Sequence, residues 1–209
     1  MNYSELKYIY QPAQNTAQNT VLLLHGTGGD ENDLLPIAKY FGDNFNILSL
    51  RGNVSEGGMP RFFRRLGMGI FDEKDLAFRT DEMVHFIRDL AVKENFDADK
   101  IIALGYSNGA NIAGSTLLQY PDFLAGAILF RPMQPFKEIS ATAVNTKKTP
   151  IFMSNGASDP TIDPVATVRY VEVLKKAGFD VADYNLQTSH GLTQKDIELS
   201  VEWFKKHFV

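Results

Sequence analysis

The stretch Gly105-Tyr106-Ser107-Asn108-Gly109 constrains this chain more than any other segment. Lys100-Ile101-Ile102-Ala103-Leu104 before it reads as a buried strand, and Asn111 to Tyr120 after it reads as a helix. A Gly-x-Ser-x-Gly turn between strand and helix is a nucleophile elbow: the serine occupies a strained turn, and the flanking glycines let strand and helix approach closely. Ser107 is therefore the candidate nucleophile. That chemistry also requires partners downstream in the right order.

The remainder of the chain alternates short apolar runs with longer amphipathic stretches. Strands are predicted at Lys7-Tyr10, Thr20-Leu24, Asn46-Leu50, Ile101-Leu104, Ala125-Phe130, Pro150-Ser154 and Val181-Leu186. Val21-Leu22-Leu23-Leu24 is apolar throughout, as a central parallel strand buried on both faces must be. Between about Lys74 and Lys93, Leu76, Met83, Ile87, Leu90 and Ala91 recur at helical spacing. A further helix has Asp163 as N-cap, Pro164 at its first position and Gly178 past its end. A last one starts near Thr193, with Asp196 three residues on as in a capping box, and buries Ile197, Val201 and Phe204. The alternation predicts an α/β fold with a doubly wound, mostly parallel sheet of about seven strands, and ligands at the carboxyl ends of those strands. No repeat or linker divides residues 1–209, so one domain is expected; Gln11 to Asn19 reads as a polar loop.

Composition narrows the partners. A chain of 209 residues with 44% hydrophobic content has enough material for a substantial core. A formal net charge of -4 offers no broad basic surface for nucleic acid or an anionic membrane. With no cysteine, disulfides, thiolate catalysis and cysteine-bound metal are excluded. Met1 to Lys7 lacks an apolar signal core, and no apolar run approaches the roughly 20 residues that span a bilayer. The expectation is a cytoplasmic protein without stable membrane association; a homodimer is compatible with the sequence.

A serine hydroxyl is a weak nucleophile and needs a base held by a carboxylate. On this fold the order is serine, acid, histidine. Of His25, His85, His190 and His207, only the last two lie far enough along, and His207 sits in the final helix three residues from the end. His190, between the last strand and the last helix, is the candidate base. Of the aspartates between Ser107 and His190, Asp159 follows the strand around Ile151-Phe152-Met153 in the loop Asn155 to Pro160. Asp163 is explained as a helix cap, and Asp180 precedes a strand at the opposite edge. Asp159 is the candidate acid, although an Asp-Pro turn would also account for it. Oxyanion donors are sought in the N–H of Asn108 and in the loop His25-Gly26-Thr27-Gly28-Gly29, most plausibly at Thr27. His25 is then a structural loop residue.

His25-Gly26, Gly105 to Gly109, Asp159-Pro160 and His190-Gly191, in this order and spacing, resemble the α/β-hydrolase family of carboxylesterases, lysophospholipases and acyl-protein thioesterases over essentially the whole chain. The resemblance implies a hydrolase core without a large cap domain, a Ser-Asp-His triad of Ser107, Asp159 and His190, oxyanion N–H groups from Thr27 and Asn108, and no metal or other cofactor. Arg51 to Arg65 departs from the thioesterase branch and is similar instead to a bacterial subgroup of hydrolases linked to hydroquinone stress. A small-molecule ester or thioester is the substrate this implies. A lysophospholipase or acyl-thioesterase is the alternative within the enzyme class, and a non-catalytic ligand-binding protein on the same fold is the alternative outside it.

Two readings of that segment stand side by side. Met59, Phe62 and Phe63 would wall an acyl or aromatic pocket while Arg61, Arg64 and Arg65 meet an anionic group on the substrate. Otherwise its aromatics fill the core and its arginines pair with Asp72, Glu73 and Asp75.

Overall fold

Strand Thr20–Leu24 is buried along its whole length. Leu22 and Leu24 enter one core cluster, and Val21 and Leu23 enter another on the opposite face. Alternation of side chains across a strand therefore demands helices on both sides of the sheet. The computed structural model describes residues 3–14, 19–67, 69–138 and 141–209. Residues 15–18 of the predicted polar loop, and Met1 and Asn2 of the amino-terminal stretch, lie outside them.

The elements in chain order are β1 (Tyr8–Gln11), β2 (Thr20–Leu24), α1 (Leu35–Ala38), β3 (Asn46–Leu50), β4 (Val54–Glu56), β5 (Met59–Arg61), β6 (Arg65–Gly67), β7 (Ile70–Phe71), α2 (Glu73–Glu94), β8 (Ile101–Tyr106), α3 (Asn108–Gln119), β9 (Gly126–Phe130), β10 (Pro150–Gly156), α4 (Pro164–Lys176), β11 (Asp180–Leu186) and α5 (Gln194–Phe208). Seven strands form the main sheet in the order β1-β3-β2-β8-β9-β10-β11, and only β1 runs antiparallel to its neighbour. Helices α2, α3 and α4 cover the face of Leu22 and Leu24, while α1 and α5 cover the face of Val21 and Leu23. This is the α/β-hydrolase architecture, and the described residues include no large cap domain. No helix among them is long and apolar enough to cross a membrane.

The predicted helix signals take their expected places. Asp163 caps α4 by accepting from the N–H groups of Val165 and Ala166, and Gly178 beyond its end has φ 94°. Thr193 and Asp196 form the reciprocal capping box of α5. Phe204 meets Phe41 and Phe45 edge-on at 4.9 Å each, which fastens α5 to the sheet's second face.

Several expectations need correction. Burial on both faces holds for the central strands, but β1 and β11 are edges and β11 alternates between exposed and half-buried residues. Helix α3 begins at Asn108, three residues earlier than predicted, because the elbow passes directly into it. The segment after β3 is two short antiparallel hairpins, β4–β5 and β6–β7, which the sequence reading left as a loop.

Candidate active site

Chain order along the sheet reverses between β2 and β8, since β2 leads outward to β3 and the chain returns to β8 on the other side. A crevice opens at the carboxyl ends of strands on either side of such a reversal. The loop after β2 carries Thr27, and the turn after β8 carries Ser107.

Ser107 has φ 52° and ψ -109°, a conformation a non-glycine residue adopts only when its surroundings impose it. Its N–H donates to the Phe130 carbonyl at 2.8 Å. A Cβ on Gly109 would stand 1.9 Å from the Leu24 carbonyl oxygen, so only glycine lets α3 sit this close to the end of β2. The elbow is thus built by contacts with two neighbouring strands.

The Ser107 hydroxyl lies 3.0 Å from His190 Nε2, and His190 Nδ1 lies 2.6 Å from Asp159 Oδ2. The other Asp159 oxygen accepts from the Thr161 N–H at 2.9 Å and the Thr161 hydroxyl at 2.7 Å. Burial pushes the Asp159 carboxyl up, but the hydrogen bonds from Thr161 and His190 outweigh it and leave it below its ordinary value. An ionised carboxylate only accepts, so Nδ1 carries the imidazole proton and Nε2 is left to accept from Ser107. The Tyr106 hydroxyl donates to the His190 carbonyl at 3.2 Å.

Thr27 and Asn108 line the same cleft as Ser107 and His190. Asn108 is the first residue of α3, where a backbone N–H has no partner within the helix. His25 is buried: its Nε2 accepts from the Gly52 N–H at 3.0 Å and its Nδ1–H donates to the Gly26 carbonyl at 2.6 Å. Burial lowers its pKa and favours the neutral ring. It ties the loop after β2 to the segment after β3.

The hairpin segment divides its predicted roles. Arg61, only 3% exposed, lines the cleft, donates from Nη1 to the Thr27 hydroxyl at 2.5 Å and lies 3.3 Å from Glu56. Arg65 lines the cleft as well and pairs with Glu56 at 2.8 Å. Phe62 and Phe63 are core residues and wall no pocket: Phe63 packs edge-on against Phe71, and the Phe62 N–H donates to the Asn108 side-chain oxygen at 2.7 Å. Arg64 turns to solvent, 63% exposed, and pairs with Asp72 at 3.1 Å. Met59 is exposed beside Gly28, outside the cleft lining. Arg64 precedes β6 and is turned toward α2 by its N–H on the Asp75 carboxylate at 2.7 Å, while Arg65 opens the strand.

Gly69, Phe71, Tyr106, Asn111, Met133 and Thr161 complete the lining, and the sequence reading assigned none of the six to a pocket. Met133 is drawn in by its N–H, which donates to the Asn111 side chain at 2.7 Å, a link across 22 residues with no local signature. The cleft beside Ser107 encloses about 260 Å³. An annex of about 210 Å³, lined by Ile70, Met133, Pro135, Phe136, Ile162 and Ala166, shares Gly69, Phe71 and Met133 with it. Among the described residues, no three His, Asp or Glu side chains converge as metal ligands.

An α/β fold with a nucleophile elbow at a strand reversal defines the class, and the chain belongs to the phospholipase/carboxylesterase family, whose model matches residues 6–208. It is a serine hydrolase of the carboxylesterase type. Among individual proteins it is 42% identical over 204 residues to the Bacillus subtilis protein named "Putative hydrolase MhqD", covering 98% of this chain and 100% of the relative. The crystal structure of the Bacillus cereus carboxylesterase superposes with a TM-score of 0.93 at 42% identity, over 97% of this chain and 95% of that one. The structure of YahD with malic acid superposes with a TM-score of 0.89 at 30% identity, over 97% and 99%.

Proposed function

We propose that this enzyme hydrolyses small carboxylic esters or thioesters through an acyl-enzyme formed on Ser107. The in-line arrangement of Ser107 Oγ, His190 and Asp159, at 3.0 and 2.6 Å, carries this reading. Ser107 Oγ attacks the carbonyl carbon as its proton passes to His190 Nε2, and Asp159 stabilises the imidazolium. The oxyanion of the tetrahedral intermediate takes hydrogen bonds from the N–H groups of Thr27 and Asn108. As the intermediate collapses, the bond to the alcohol or thiol breaks and His190 protonates it. Water then attacks the acyl-enzyme as His190 takes its proton, and when the second tetrahedral intermediate collapses His190 returns that proton to Ser107 Oγ, releasing the carboxylic acid and the free serine.

The compartments support a small substrate. The cleft of about 260 Å³ and the annex of about 210 Å³, which share Gly69, Phe71 and Met133, together lie in the lower part of the roughly 300–1,000 Å³ range of small-molecule pockets. Long-chain lysophospholipids and acyl-proteins fit this less well. The annex, whose lining mixes Ile70, Phe71, Met133, Phe136 and Ile162 with the polar Glu73, Gln134 and Lys137, takes the hydrocarbon part of the ester on its apolar side. Arg61 and Arg65, with Glu56 between them, give one wall of the cleft a net positive charge. That charge favours an ester bearing an anionic group, and the related YahD was solved with malic acid, a small dicarboxylic acid.

The test is p-nitrophenyl esters of increasing acyl length, with neutral and carboxylate-bearing acyl groups of matched size, measured for the wild type and Ser107→Ala. Mass spectrometry reads the acyl adduct. Turnover and adduct that vanish with Ser107→Ala are expected, with short acyl groups preferred. Undiminished turnover by Ser107→Ala refutes the proposal.

A further inference from the structure

Arg131 is a fully buried charged side chain that the proposed mechanism does not use. Arg131 follows directly on β9, has no solvent exposure and holds φ at 54°. Its N–H donates to the Ser154 carbonyl at 2.7 Å. Its guanidinium pairs with Asp196 through both terminal nitrogens at 2.8 Å each, and one of them also donates to the Ser154 hydroxyl at 2.9 Å. A buried Arg-Asp pair on its own would be a structural strut between β9 and α5.

The remaining donors of the fork go elsewhere. Nε donates to the Ser189 carbonyl at 3.2 Å, and Nη2 donates to the Gly191 carbonyl at 2.9 Å. These are the carbonyls of the residues on either side of His190. With the Tyr106 hydroxyl on the His190 carbonyl itself, three successive carbonyls of this loop are held by side chains. The residue preceding Arg131 holds the other reactant, since the Phe130 carbonyl accepts the Ser107 N–H at 2.8 Å. Two adjacent residues at the end of β9 thus reach the nucleophile and the loop of the base.

We propose that Arg131 is a positioning residue for His190: its guanidinium clamps the loop that carries the base, at a fixed distance from the nucleophile held by Phe130. This rests on the reading of Ser107 and His190 as nucleophile and base. The clamp needs the geometry of arginine, whose planar fork presents five N–H donors in fixed directions. A lysine ammonium keeps the charge beside Asp196, but three donors on one nitrogen do not span the Ser189 and Gly191 carbonyls while also pairing with the carboxylate. Asp196 in turn is held by the Thr193 N–H and hydroxyl at 2.8 and 2.7 Å, so the fork has a rigid anchor.

Two variants test the clamp. Arg131→Lys keeps the ion pair and removes the fork. Arg131→Met combined with Asp196→Asn removes both buried charges, so no unpaired carboxylate is left in the core, and keeps an acceptor for the cap of α5. For each folded variant the melting curve, kcat, KM, the pH profile of kcat/KM and the rate of inactivation by diisopropyl fluorophosphate are recorded. A misplaced base costs on the order of 10- to 100-fold in rate. The expected result is a loss of that size in kcat and in inactivation rate, with KM within about twofold of the wild type. In the double variant the midpoint of the acid limb stays in place, because both charges leave together.

Folded Arg131→Lys with wild-type kcat would show that only the charge matters and overturn the proposal. So would a loss confined to KM. If neither variant folds, an ester in place of the Leu192 amide weakens the Gly191 carbonyl as an acceptor without changing a side chain. An unchanged kcat there overturns the clamp, and a fall with constant KM supports it. Ser107→Ala runs alongside: if it still turns over, the serine mechanism itself fails, whereas an inactive Ser107→Ala beside a fully active Arg131→Lys refutes the clamp alone.

Discussion

Replacing Gly109 by alanine puts the elbow's geometry under a single, sharp load. The new Cβ would meet the Leu24 carbonyl oxygen at 1.9 Å, the Leu24 carbonyl carbon at 2.4 Å and the His25 carbonyl oxygen at 2.7 Å. All three are backbone atoms, so no side chain can rotate away. Ordinary contact requires α3 and the end of β2 to separate by about 1.5 Å. Overpacking of this kind costs about 1–3 kcal/mol, of which the better helix propensity of alanine recovers up to ~1 kcal/mol. Stability should therefore fall only modestly. Catalysis should fall much further, because Thr27 and Asn108 sit on the two bodies being pushed apart. Loss of one oxyanion donor is worth about 10² to 10³ in kcat. Gly191→Ala is the matched control beside His190: its Cβ meets nothing within 4 Å, so stability should stay within about 0.5 kcal/mol. Calorimetry and p-nitrophenyl acetate turnover on both proteins decide the matter. A Gly109→Ala enzyme with kcat within about threefold of the wild type would refute the placement of the oxyanion hole between these two backbones.

Two further outcomes test other parts of the molecule. Ala166→Leu fills the annex without touching the lining of the triad cleft, so kcat/KM should hold for acetate and fall for longer acyl or alcohol groups by about fourfold per excluded methylene; equal losses for short and long esters would remove the annex as a substrate compartment. Burial pushes the Asp196 carboxyl up, yet hydrogen bonds from Arg131, Ser154 and Thr193 hold it down at about 2. A carboxyl depressed in the folded state adds stability above its unfolded pKa and loses it as pH falls, here between about pH 4 and pH 2, with about 2 kcal/mol present at neutrality. In urea titrations the advantage of the wild type over Asp196→Asn should shrink by about 1 kcal/mol between pH 7 and pH 3, and a constant gap would contradict the assignment.

The parts of this enzyme that were legible in the sequence are those with a local signature or a forced order. Gly105 and Gly109 mark a close approach of backbones, and the contacts of Gly109 show which backbones they are. His190 and Asp159 were accessible by elimination, since few histidines exist and alternating strands and helices send every second loop to the same sheet edge. They are hydrogen-bonded in one line with Ser107. The segment after β3 was opaque because its side-chain directions depend on the register of two three-residue hairpins, which no periodicity reveals. Each reading therefore holds in part: Phe62 and Phe63 fill the core and Arg64 pairs with Asp72, while Arg61 and Arg65 face the cleft. Arg131 carries no signal of burial in sequence, because its partner Asp196 is 65 residues away.

The hairpins from 54 to 71 behave as a cassette mounted on a finished catalytic platform. Ser107, Asp159, His190 and Thr27 each sit in a loop or turn that follows a parallel strand of the main sheet, whereas Arg61, Arg65, Gly69 and Phe71 all come from the cassette. Beside the attachments of Arg64 to Asp72 and Asp75 of the α2 start, three bonds fix it to the cleft: the Gly28 N–H on the Pro60 carbonyl at 2.9 Å, the Phe62 N–H on the Asn108 side chain, and Arg61 on the Thr27 hydroxyl. All three of these attach at the loop after β2 or at the elbow. Selectivity in this scaffold is thus interchangeable at a definable seam: a foreign hairpin pair that keeps Pro60-Arg61-Phe62 inherits the chemistry intact, and one that lacks it arrives with its oxyanion loop unbraced.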